Sequence, residues 1–95
     1  MALLRPCSTS AGYLATPERP LKLDMKRLKA ALLADGYAIL IDAGIILIVR
    51  KTSSTGPLES SLYDTGKVLL KTTDGEVAKT EYAALEPHVV ASVRA

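Results

Sequence analysis

Side chains able to do covalent chemistry are few in this chain, and their spacing keeps them apart. Cys7 is the one thiol and His88 the one imidazole, at opposite ends of the sequence. A nucleophilic cysteine needs a base held beside its sulfur, and no spacing argument brings these two together. One Cys and one His also fall short of a structural zinc set, and a lone Cys allows no internal disulfide. Asp42, Asp64 and Asp74 all fall at turns, where aspartate is placed by its bonds to nearby backbone. Acid–base catalysis needs carboxylates in a pocket with altered proton affinity, and nothing in the pattern builds one. The connection Thr52-Ser53-Ser54-Thr55-Gly56-Pro57 lacks the lysine and spacing of a phosphate-binding loop. No catalytic residue, cofactor or metal ligand is assigned, and the chain is expected to be a binding protein rather than an enzyme.

Chemistry of association is better represented. Along residues 67–72 a strand would send Val68 and Leu70 to one side and Lys67, Leu69 and Lys71 to the other. With Tyr63 just before the turn and Arg50 on a neighbouring strand, Arg50, Tyr63, Lys67, Leu69 and Lys71 are the candidate contact residues. An aromatic and aliphatic centre inside a charged rim suits a protein interface. The same cations could meet phosphates. The formal charge of +2 is too mild to argue for nucleic acid by itself. Its distribution is uneven, with 8 basic against 4 acidic residues over 1–51 and 4 against 6 over 52–95.

Positioning these residues falls to elements whose patterns are readable. Asp24 is a good N-cap, Met25, Leu28 and Leu32 recur at helical spacing, and Gly36 supplies the stop, so a helix is predicted over about 24–35. Residues 37–42 and 45–51 are β-branched runs around Ala43-Gly44, the pattern of a hairpin apolar on both faces. Residues 59–63 and 67–72 flank Asp64-Thr65-Gly66, a second hairpin with Gly where a positive φ is needed. Thr73 and Glu76 form a capping box that opens a second helix, with Ala78, Tyr82 and Leu85 on its buried stripe and Pro87 at its end. Residues 88–93 could extend the fold or dock on a partner. The expected fold is α+β: an antiparallel sheet of four to five strands with two helices on one face.

Residues 1–20, rich in Pro, Ser, Thr and Gly, read as a flexible tail with the pattern of one short strand near 13–16, and residues 21–95 as a single domain. Ninety-five residues, a mass of 10.1 kDa, leave no room for a second domain. With 48% of its residues hydrophobic the chain is too apolar for global disorder. No apolar run approaches the about 20 residues that span a bilayer, and Arg5-Pro6 interrupts any secretory signal, so a soluble cytoplasmic protein is expected with no membrane partner. An open sheet face bearing Ile, Leu and Tyr should be covered, which predicts a homodimer or small homo-oligomer, with a further protein partner ranked above nucleic acid.

The order of elements, with Ile46-Leu47-Ile48-Val49-Arg50-Lys51, a loop holding Pro57, and Ser60-Ser61-Leu62-Tyr63-Asp64-Thr65-Gly66-Lys67 before an acidic helix start, resembles one repeat of the TATA-box-binding protein family over about residues 23–86. The resemblance implies a half-saddle whose concave sheet meets the DNA minor groove, with inserted phenylalanines kinking it. The departures fall on the functional positions. Tyr63 stands where the motif carries one inserted Phe, the other would fall near Gly44, and the chain has no Phe and no Asn. What this implies is a saddle rebuilt by two copies, with Arg50, Lys67 and Lys71 on phosphates at low sequence specificity. The same hairpin and helix also look like the TBP-like segment at the end of adenylyltransferases of the MoeB and ThiF type, an accessory module whose implied partner is a protein.

Overall fold

The computed structural model describes residues 3–6, 12–53 and 56–94, with backbone alone at 3–6 and at Ser53. Its elements in chain order are β1 (Leu3–Pro6), β2 (Tyr13–Thr16), α1 (Met25–Ala34), β3 (Ala38–Asp42), β4 (Ile46–Ser53), β5 (Gly56–Tyr63), β6 (Val68–Leu70) and α2 (Gly75–Ala91). The strands form one antiparallel sheet in the order β1-β2-β6-β5-β4-β3. The fold is α+β, as expected.

Alternation along the strands decides which face is core. Val49 opposes Ser60 and Ser60 opposes Leu70, while Leu47 opposes Leu62, Leu62 opposes Val68 and Val68 opposes Ala15. All of these are buried, and Leu28 and Leu32 of α1 with Ala78, Leu85 and Val89 of α2 close over them in one cluster. Both helices therefore lie on one face. α1 begins where expected, with the Asp24 carboxylate accepting from the Lys26 and Arg27 backbone N–H groups at 3.2 Å each. The second hairpin closes with Tyr63 N–H to the Lys67 carbonyl at 2.9 Å, and Gly66 takes φ +91°. A Cβ there would also stand 2.8 Å from Leu21 Cδ1.

Three details differ from expectation. The sheet has six strands rather than four to five: the short strand expected near 13–16 is present as β2, docked on β6 with Tyr13 opposite Leu70, and β1 from the segment read as a tail adds the sixth. Ala15 fills a core position there, which explains how so short and turn-rich a segment is held. α2 passes through Pro87 and ends at Ala91. A proline removes one rung and crowds the carbonyl four residues back. Pro87 and Ala83 both face solvent, while Leu85 and Val89 anchor the helix on either side. Its cap is Asp74, accepting from Glu76 and Val77 N–H at 2.9 and 3.3 Å, rather than Thr73. Cys7 lies outside the described residues. No helix among those described is long and apolar enough to cross a membrane.

Candidate interaction face

Opposite the helices the second set of alternating side chains forms rows across the sheet. The middle row runs Leu14, Leu69, Ser61, Ile48 and Ile41, each directly opposite the next on strands β2, β6, β5, β4 and β3. Ser61 at its centre is buried by its neighbours, Leu14, Leu69 and Ile48 are half-buried, and Ile41 is 50% exposed. On one side of this row Tyr63 opposes Ile46, with Lys67 following on β6's approach. On the other side Arg50 opposes Glu59, beside Lys71, and Ala38 continues the row onto β3. β3 is an edge strand whose ladder slips between Ile39 and Ile41, and it adds Leu40, 40% exposed, while Ile45 in the following turn is 66% exposed.

Arg50, Tyr63, Lys67, Leu69 and Lys71 all stand on this one face. Their electrostatics differ. Lys71 Nζ lies 2.6 Å from Glu59 Oε2, so its charge is partnered, whereas Arg50 and Lys67 are exposed and form no ion pair among the described residues. The face is apolar through its middle, with one neutralised charge pair and two further cations at its margins. Sequence reasoning missed Leu14 and Ile41 as members of the row. Only the pairing of β2 with β6 and the slipped register of β3 place them there, and neither is a local signal.

The helix side carries a polar chain that spacing alone does not announce. His88 Nε2 lies 3.0 Å from Asp35 Oδ2, and Lys51 Nζ lies 3.7 Å from the same oxygen. Lys51 also sits 4.6 Å above the Tyr37 ring, and the Tyr37 hydroxyl donates to the buried Glu81 carboxylate. Burial, then the bond to Glu81, pushes the Tyr37 hydroxyl well above the ordinary tyrosine range. The hydrogen bond from His88, then the Lys51 charge, holds Asp35 below the usual carboxylate range. No group of three or more metal-ligating side chains occurs among the described residues. The chain matches no protein-family model, and no curated protein or solved structure matches it.

Proposed function

We propose that the chain is a non-catalytic interaction module that works through the open sheet face, assembling first with a second copy of itself and through that assembly with protein partners. The observation that carries the reading is the uninterrupted row from Leu14 to Ile41 across five strands, on the face the helices leave bare. A band that is apolar except for the buried Ser61 and crosses five of the six strands is costly to leave in water, and a second copy of the same face would cover it. Sedimentation at micromolar concentration is expected to give a species heavier than the 10.1 kDa chain. Ile48→Asp and Leu69→Asp should return it to a monomer with its circular dichroism unchanged. A wild-type monomer that stays soluble at those concentrations would remove the basis for this reading.

The alternative is a low-specificity DNA-binding saddle built from two TBP-like halves. Arg50 and Lys67, exposed on the same face with no ion pair among the described residues, favour it, and the Glu59 partner of Lys71 weighs against it. Two such cations per chain, doubled in a dimer, would give a slope of about −4 in log affinity against log salt. Protein assembly instead expects scant retention on duplex DNA and no loss of self-association in Lys67→Ala.

A further inference from the structure

The open face has margins of different chemistry on either side of its middle row. One margin carries Tyr63 opposite Ile46, with Tyr63 N–H donating across the turn to the Lys67 carbonyl. The other carries Arg50 opposite Glu59, whose Oε2 holds Lys71 Nζ at 2.6 Å. Between them the row begins at Leu14 on β2 and ends at Ile41 on β3, with Ser61 at its centre. A two-fold axis that joins two such faces lies in the plane between them, and two directions suit sheets packed with their strands aligned. An axis along the strands lays each margin on its own counterpart. An axis along the row lays each margin on the other one.

Charge decides between the two. Laid on its counterpart, the charged margin sets Glu59 against the partner's Glu59 and Arg50 against the partner's Lys71, so that every group faces its own sign. Like charges juxtaposed in an interface are costly. Laid on the tyrosine margin, the same groups meet chemistry that suits them. Glu59 faces the partner's Tyr63, whose hydroxyl can donate to a carboxylate. Arg50 lies over the partner's Ile46 beside that ring, where a guanidinium is favoured. Lys71 meets the partner's Lys67 at the rim, with its charge already matched by Glu59. Along the row each side chain meets its own counterpart, Leu14 on Leu14 and Ile41 on Ile41. At the centre Ser61, 3% exposed, brings one hydroxyl up to another, and a hydroxyl can both donate and accept.

We propose that two copies of the chain meet face to face about a two-fold axis running along this row, so that the Tyr63 margin of each covers the Arg50 and Glu59 margin of the other. The arrangement rests on the reading of the open face as a self-assembly surface, and it adds the residues that recognise the second copy: Tyr63, Glu59 and Arg50. Lys67 gains no carboxylate directly opposite it, in keeping with a self-association that Lys67→Ala leaves intact.

Cross-linking of paired cysteines in the whole chain tests this, with its own thiol removed by Cys7→Ser. Packed sheets stand about 10 Å apart, beyond the reach of a disulfide, so the probe is a short bismaleimide. Leu14→Cys and Ile41→Cys are each expected to link to their own counterparts, because both lie on the axis. An axis along the strands would set Leu14 over the partner's Ile41, with its own counterpart displaced by four strand spacings, about 19 Å. Neither single variant would then link, and only a chain carrying both would. Pairing through the β3 edge would link Ile41→Cys alone. Either of these patterns overturns the arrangement while leaving a dimer in place. Tyr63→Phe gives a second readout: losing the bond to the partner's Glu59 should raise the dissociation constant about tenfold with circular dichroism unchanged, and an unchanged constant would count against the arrangement. A wild-type chain that sediments as a monomer overturns both the arrangement and the reading beneath it.

Discussion

Ser60 sits on the core side of β5 between Val49 and Leu70, 1% exposed, with its hydroxyl lacking a hydrogen-bond partner among the described residues. An unsatisfied buried hydroxyl costs about 1–3 kcal/mol. Ser60→Ala is thus expected to stabilise the protein by about 1 kcal/mol, a rise of about 4–8 °C in Tm for a domain of this size, measurable by thermal unfolding. Gly66 has the opposite expectation. Its φ is +91°, and a built Cβ would come within 2.8 Å of Leu21. Gly66→Ala should therefore cost at least about 1 kcal/mol, seen as a lower denaturant midpoint with unchanged slope. At this scale the sequence was legible where chemistry is local. Lys67, Leu69 and Lys71 share a face because strands alternate, and Gly66 was marked by its turn. The Asp35, Lys51 and His88 cluster was not, because three elements distant in sequence meet there and no spacing rule connects them.

The helices were legible at the ends where a side chain caps its own backbone. Asp24 and Asp74 each accept from two N–H groups of the following turn. Either substitution to Ala is expected to cost about 1 kcal/mol of stability by chemical denaturation. The C-terminal end of α2 was not legible. A proline usually stops a helix, and only tertiary placement tells that Pro87 faces solvent while Val89 beyond it is core. Of the N-terminal strands, β2 was legible as a short strand near 13–16, while β1 and the docking of β2 on β6 were missed for a related reason. Residues 1–20 hold too little apolar pattern of their own, and β2 becomes a strand by borrowing the ladder of β6, far along the chain. The hairpins β3–β4 and β5–β6 needed no such help, since each strand's partner is its neighbour in sequence.

Over the whole molecule, charge placement sets an acid limit on stability. Hydrogen bonds hold Asp24, Asp35 and Asp42 below the usual carboxylate range: Arg27 N–H for Asp24, His88 for Asp35 and the Lys29 ammonium for Asp42. A depressed folded value means stability that is full above the unfolded aspartate range and is lost as pH falls through the lowered values. Acid titration by circular dichroism is expected to show a stable plateau down to about pH 4 and a decline below it, with Asp42→Asn shrinking the decline. The pairing of Tyr13 with Leu70 has a further consequence, for the order in which the chain is made. β1 and β2 leave the ribosome first but gain their docking strand only after β6 is synthesised, a wait of about 3–11 s at the usual elongation rate. During that interval both edges of the nascent β1–β2 pair are bare, and its Ala15 has no core to close on. Arrested chains ending before residue 68 should therefore be cut by protease within the first twenty residues, and chains carrying α2 should resist.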